Sequence, residues 1–161
     1  MKKSSLASAV AMIGLCASLA QAQLTAGAWG ISPGITFGPT GTTRPITVVY
    51  APIENLRLDG DLLFTSFSNS TSTTTVGLAV GADYYLWHNE SVASFVGGNL
   101  GFGSISGTGG STDFVLNGEF GADYFLSPHF SINGSIGLGL AAGNTRAFTT
   151  QTGLHATWWL K

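Results

Sequence analysis

The chain has 161 residues, of which 9% are charged and 44% hydrophobic, and its formal net charge at pH 7 is −2. Soluble domains carry about 25% charged residues, and phosphate binding needs clustered Lys and Arg. The composition therefore argues against an ordinary soluble domain and against nucleic acid as a partner, and the single cysteine excludes a disulfide framework.

Residues 1–22 have the pattern of a cleaved secretory signal peptide. Two lysines precede an apolar run, and an A-x-A cleavage site ends at Ala22. The single cysteine, Cys16, lies within this segment, so the exported chain has none. We predict two parts, a signal peptide over residues 1–22 and a barrel domain over residues 23–161.

Alternating apolar and polar residues predict eight strands after the signal. In the most regular segment, apolar or small residues recur at every second position from Phe114 to Leu126 and again from Phe130 to Leu140. A period of two on both sides of a short turn predicts an antiparallel hairpin. The predicted strands cover residues 24–37, 45–52, 56–67, 74–87, 92–105, 112–126, 130–141 and 147–160.

The connections between the predicted strands alternate in character. Three are tight turns, at residues 52–55, 88–91 and 127–129, and four are looser and rich in Gly, Ser, Thr and Asn, at residues 38–44, 68–73, 106–111 and 142–146. We call the two ends of the sheet the turn end and the loop end. This alternation is typical of outer-membrane barrels, whose short turns lie in the periplasm. We therefore predict an all-β fold, an eight-stranded antiparallel up-and-down transmembrane β-barrel in the cell outer membrane.

Aromatic residues on the apolar face predict two membrane–water interfaces. Phe114 and Tyr124 lie ten residues apart, which is roughly 25 Å of barrel height at a strand tilt of about 40°. Amphipathic Tyr and Trp rings, which suit an interface, collect at the turn end. The predicted interface aromatics are Tyr50, Tyr84, Trp87, Tyr124, Trp158 and Trp159 at the turn end, and Phe37, Phe64, Phe102, Phe114 and Phe148 at the loop end.

A soluble barrel with an apolar interior would show the same alternation, and this alternative stays open. The polar face is nevertheless poor in Lys and Glu and rich in Gly, Ser, Thr and Asn. Small and uncharged polar residues suit a narrow, filled lumen better than a solvated exterior. The sequence therefore favours the membrane arrangement, with the apolar face outside.

The segment GADYFLSPHFSI at 121–132, followed by GSIGLG at 134–139, resembles a strand–turn–strand unit of small Gram-negative outer-membrane barrels, the OmpX-like proteins and the OmpA transmembrane-domain type. The resemblance implies contact with outer-membrane lipid, assembly by the outer-membrane insertion machinery, and a monomer. The chain departs from the pattern at its C-terminus, where Leu160 and Lys161 follow the last aromatic residue.

Charged residues collect on the strand positions predicted to face the lumen. If the third and fourth strands pair symmetrically about their loop, Asp59 lies opposite Asp83 and Arg57 lies one step diagonal. Carboxylates that close cannot both ionise freely, so Asp83→Asn would be tolerated or mildly stabilising. The interior is either a hydrogen-bonded filling or a plug, cation path or proton site. The predicted lumen network is Arg57, Asp59, Asp61, Asp83, Glu119, Asp123 and His155.

The sequence assigns no catalytic, cofactor-binding or metal-binding residue. His155 has no serine beside it on its own strand, and the three histidines are too dispersed for a metal signature. We expect a protein that is not an enzyme and has no cofactor, with a structural or surface-interaction role through its extracellular loops. The alternatives are a narrow passive pore, a barrel that binds a small ligand, or a lipid-acting enzyme.

Overall fold

The computed structural model describes residues 24–38, 41–68, 72–89, 91–106, 110–143 and 146–160. The predicted signal peptide and its cleavage site lie outside these residues. Nine strands are present in the described ranges: β1 (Trp29–Gly38), β2 (Gly41–Thr43), β3 (Ile46–Ile53), β4 (Leu56–Ser68), β5 (Ser72–His88), β6 (Val92–Ser106), β7 (Ser111–Ser127), β8 (Phe130–Gly143) and β9 (Ala147–Leu160).

The strands form an antiparallel meander that closes into a barrel. From β3 to β9 each strand pairs with its neighbours in the sequence, and β1 pairs with both β3 and β9. The closing ladder sets Trp29 opposite Leu160 and Phe37 opposite Thr152. β2 pairs only with the end of β1, so β2 and β3 share one place in the wall. The predicted eight-stranded antiparallel up-and-down barrel is confirmed.

The first strand begins later than predicted, at Trp29 instead of residue 24. Gly27 has a φ of 85°, a conformation open to glycine and unfavourable for other residues, and its N–H donates to the carbonyl of Ala51 at 2.7 Å. The chain therefore turns before it enters the sheet. Leu24, at the start of this turn, is buried.

Three of the loop-end connections are shorter than predicted because the strands run further, and they comprise residues 69–71, 107–110 and 144–146. The first loop-end connection contains β2, with residues 39–40 before it and residues 44–45 after it. The turn-end connections comprise residues 54–55, 89–91 and 128–129. The strands β4 to β9 have 13 to 17 residues each. Because about 9–11 residues suffice to cross a membrane, several residues of each hairpin extend past the span.

The barrel is apolar outside and polar inside. Leu116, Phe120, Ile136 and Leu138 point outward and are 55–60% exposed, while Asn117 and other polar residues on the alternate positions are buried. A soluble barrel has the opposite arrangement, because water makes an exposed apolar belt unfavourable. This is the arrangement of a membrane-spanning barrel. Among the described residues, no helix is long and apolar enough to cross a membrane.

Candidate functional site: the acidic lumen

The turn end of the lumen is filled by apolar and aromatic side chains. Phe95 is fully buried, and Phe125 stacks on Trp159 with ring centroids 6.5 Å apart. Side chains therefore occupy this end of the lumen. We call this group the plug, and its members are Leu24, Ala28, Val49, Ala51, Tyr85, Ala93, Phe95, Phe125 and Trp159.

A buried guanidinium lies directly on the plug. Arg57 donates from Nη1 to Oδ2 of Asp123 at 2.9 Å and from Nε to Oδ2 of Asp83 at 3.0 Å, and its Nη2 also binds that Asp83 oxygen. Its guanidinium carbon lies 4.9 Å from the ring centroid of Phe95, a cation–π distance. We call Arg57, Asp83, Asp123 and the residues bonded to Asp123 the Arg57 cluster.

Asp123 collects the remaining hydrogen bonds of the Arg57 cluster. Tyr85 donates its hydroxyl to Oδ2 of Asp123 at 2.5 Å, and Ser131 donates to Oδ1 at 3.4 Å. The indole N–H of Trp159 in turn donates to Ser131 at 3.0 Å. The plug and the ion pairs are therefore one connected unit, because these hydrogen bonds tie the aromatic rings to the buried charges.

The predicted pairing was wrong: Arg57, and not Asp59, is the residue opposite Asp83. Arg57 lies directly opposite Asp83 in the β4–β5 ladder, and Asp59 lies opposite Gly81. The hairpin is centred one residue earlier than the symmetric pairing assumed, since Ser68 pairs with Ser72. The two carboxylates expected to face each other are therefore separated, and Asp83 is held in an ion pair.

A cavity of about 280 Å³ lies on the loop side of the Arg57 cluster. Its wall includes the predicted lumen residues Asp59, Asp61, Asp83, Glu119 and His155. The hydroxyl of one wall residue, a threonine of β3, donates to Asp61, and the amide of a β6 asparagine donates to Glu119 at 3.4 Å. The structure therefore brings all seven predicted lumen residues into one continuous interior, with Asp123 below the cavity floor.

Three buried polar atoms of the cavity wall have no hydrogen-bond partner among the described residues. They are Oδ1 of Asp83, Oδ1 of Asn117 and Nδ2 of Asn133. Asn117 donates its own amide to Asn99 at 2.8 Å, so its oxygen is the atom left over. The two asparagines were not predicted as site residues. Each lies at an inward-facing position of the alternation, Asn117 on β7 and Asn133 on β8, and that position is the signal that could have found them.

The histidines occupy separate places. His155 lies in the cavity wall above Gly34, which has no side chain to hinder the ring. His129 lies at a turn, where its Nδ1 is 3.3 Å from the carbonyl oxygen of Trp159. Among the described residues, no group of three or more His, Cys, Asp or Glu could hold a metal ion.

Most of the predicted interface aromatics lie on the outer face. Exposed outward rings include Tyr50, Tyr84, Trp87 and Trp158 at the turn end, and Phe37, Phe64, Phe102, Phe114 and Phe148 at the loop end. Tyr124 is half-buried. Their place at membrane–water boundaries stays a prediction. Trp29, which the sequence analysis omitted, is exposed opposite Tyr50.

Trp159 does not belong to the interface group. Its ring is buried in the plug, while Trp158 points outward. Adjacent residues of a strand point to opposite faces, so both tryptophans could not meet lipid. The assignment of Trp159 to the membrane interface was therefore wrong, and the parity of β9 was the signal that predicts its inward position.

No protein-family model and no curated protein matches the sequence. Solved structures do match. The N-terminal β-barrel domain of Pseudomonas aeruginosa OprF is similar with a TM-score of 0.58 and 12% identity, covering 84% of this chain and 100% of that one. Neisserial surface protein A gives a TM-score of 0.53 and 18% identity over 83% of this chain and 94% of that one.

Ail, the attachment invasion locus protein of Yersinia pestis, gives a TM-score of 0.51 and 16% identity over 84% of this chain and 100% of that one. Sequence identities this low support a shared fold but not a shared activity. The chain therefore has the fold of the small outer-membrane β-barrels, and the resemblance to the OmpA and OmpX type is confirmed at that level.

Proposed function

We propose that the protein is an integral outer-membrane barrel that does not conduct and that acts through structural and surface contacts. The observation that carries this proposal is the combination of an apolar outer belt with a lumen whose turn end is occupied by the plug and the Arg57 cluster. The belt needs lipid around it. Because the plug and the buried ion pairs occupy the turn end of the lumen, we assign contacts with other molecules to the barrel wall and the hairpin ends.

The contact surface in this proposal consists of strand ends and short connections. The loop-end hairpins extend past the span, but their connecting segments have only two to four residues. Any partner would therefore contact the rims of paired strands, which are rich in Ser, Thr, Gly and Asn. The backbone groups of the described strand ends are paired in the ladders.

The ligand of one structural neighbour does not transfer to this chain. Ail has been crystallised in complex with the heparin analogue sucrose octasulfate. A polyanion needs clustered cations. The described loop-end residues of this chain include only two, Arg44 and Arg146, so we do not extend polyanion binding to it.

Planar-bilayer recording tests the closed lumen, and cell fractionation tests the location. We expect the protein to separate with the outer membrane and, after insertion into a bilayer, to give no discrete conductance steps. A Phe125→Ala/Trp159→Ala variant that remains folded should conduct, because it removes two stacked rings from the plug.

Discrete conductance steps by the wild-type protein would contradict the closed lumen and favour the passive pore. Recovery of the folded protein in the soluble fraction would contradict the membrane location.

A further inference from the structure

We propose that the cavity in the lumen binds a linear aliphatic amine, with an ammonium group against the acidic floor and the hydrocarbon chain directed to the loop end. The inference depends on the folded barrel and its cavity, and it adds a ligand to the non-conducting barrel proposed above. Three independent properties of the cavity lead to this ligand: its charge, its unpartnered buried atoms and the chemistry of its walls.

The cavity wall is rich in carboxyl groups. Asp59, Asp61, Asp83 and Glu119 all line it, and Arg57 is the one cation among the described residues of the wall. Arg57 is already bound to Asp83 of this wall and to Asp123 below it. Asp59 has no hydrogen bond or ion pair with any other described residue, and its carboxyl group lines the cavity.

Two buried acceptors strengthen the case independently of the charge. Asp83 and Asn117 are only 1% and 8% exposed, and one oxygen of each has no donor among the described residues. Each oxygen lies where a side chain on Gly97 or Gly139 would project into the lumen. A buried acceptor without a donor is unfavourable by about 1–3 kcal/mol, so a ligand whose N–H group reached either oxygen would be favoured.

The remaining wall residues indicate an organic cation and not a metal ion. No described group of His, Asp or Glu has the arrangement of a metal site. Towards the loop end the wall carries the apolar side chains Leu63, Ala79 and Val115. Methylene groups suit these side chains, and three N–H donors on a primary ammonium suit the carboxylates. The volume of about 280 Å³ is near the lower limit of small-molecule sites, about 300 Å³.

Calorimetric titration of the purified barrel in detergent tests this inference. The probe is 1,6-diaminohexane, and 1,6-hexanediol is its neutral counterpart of equal length. We expect saturable binding of one diamine per barrel and no binding of the diol. The Asp59→Asn/Glu119→Gln variant should weaken diamine binding by about tenfold or more, because it removes two ionisable carboxyl groups from the cavity.

Glu54→Gln is the matched control, since Glu54 is an exposed carboxylate of a turn-end connection outside the cavity. It removes one charge from the protein and should change the affinity by less than about twofold. The shift between boiled and unboiled migration on a gel checks that each variant is folded. If the double variant does not fold, Asp59→Asn alone still tests the site, because Asp59 has no hydrogen-bond partner among the described residues.

Three results would overturn the inference: no saturable binding by the wild-type barrel, equal weakening by Glu54→Gln, or displacement of the diamine by an equal concentration of Mg²⁺. The first excludes the site, the second reduces it to general attraction between charges, and the third assigns it to metal ions. If the barrel inserts into membranes but does not bind the diamine, only this inference is contradicted. If it binds the diamine but remains soluble, only the proposed function is contradicted.

Discussion

Lumen side chains of this barrel lie above glycines of the neighbouring strands. Asp83 projects over Gly97, Asn117 over Gly139, and the ring of Phe95 over Gly121. An eight-stranded barrel has an interior just wide enough for side chains to fill. Glycine on one strand therefore makes room for a larger side chain on the next, and Gly97, Gly121 and Gly139 are part of the lumen packing.

The first residue-scale prediction concerns Gly97→Ala. The added methyl group would overlap Oδ1 of Asp83 and the carbonyl of Ala82, so we expect a loss of about 1–3 kcal/mol in the free energy of unfolding. Denaturant titration in detergent measures it. Gly103→Ala is the control, because Gly103 faces the same lumen from the same strand and has open space around it. Equal losses for both variants would contradict the packing described here.

The second residue-scale prediction reverses the one made from the sequence. Asp83→Asn removes a carboxylate bound to Arg57 through two hydrogen bonds, so we expect a loss on the order of 3 kcal/mol in unfolding free energy. Asp59→Asn, which breaks no hydrogen bond with a described residue, should change stability by less than about 1 kcal/mol. If Asp83→Asn is neutral or stabilising, the ion pair with Arg57 does not stabilise the barrel, and the prediction of repelling carboxylates made from the sequence is correct.

At the scale of the element, the strands show which features follow from the pattern of residues. The period of two on β7 correctly predicts that Phe114 and Phe120 point outward, because alternation determines the face of a strand. Register depends on where the loop is centred, and alternation does not determine it. The β4–β5 loop is centred one residue earlier than assumed, which was enough to misplace the partner of Arg57.

Irregularities at the turn end limit prediction in the same way. The ladders shift register between Tyr85 and Trp87 and between Phe125 and Ser127. A bulge of this kind inserts one extra residue and changes which side chains face inward. The plug combines rings from several strands near these bulges, so its assembly could not be predicted from any single strand. The inward position of Trp159, by contrast, follows from simple parity.

The element-scale prediction compares two positions on the outer face of β7. Phe120 lies near the middle of the apolar belt, and Phe114 lies in the loop-end ring of aromatics. An Arg at mid-depth on the lipid face is unfavourable by about 2–4 kcal/mol, and near the interface by about 0–1 kcal/mol. Phe120→Arg should therefore destabilise the barrel in lipid vesicles more than Phe114→Arg does. Equal losses at both depths would contradict the membrane span.

At the scale of the whole molecule, the barrel is an apolar cylinder with an unequal interior. The turn end is filled by the plug, the Arg57 cluster lies above it, and the acidic cavity lies towards the loop end. The two ends of the lumen therefore differ: side chains of the plug fill the turn end, and the cavity lies towards the loop end.

Lipid quenching of single-cysteine variants along β7 tests the central claim, the outward-facing apolar belt, most directly. The predicted mature chain has no cysteine of its own, so a fluorophore can be attached at one position at a time in vesicles of brominated lipid. We expect strong quenching at Leu116, Gly118 and Phe120, and weak quenching at Val115 and Asn117, which lie on the opposite face of the strand, in a period of two. Uniform quenching, or an alternation with the opposite phase, would contradict a barrel that meets lipid with its apolar face.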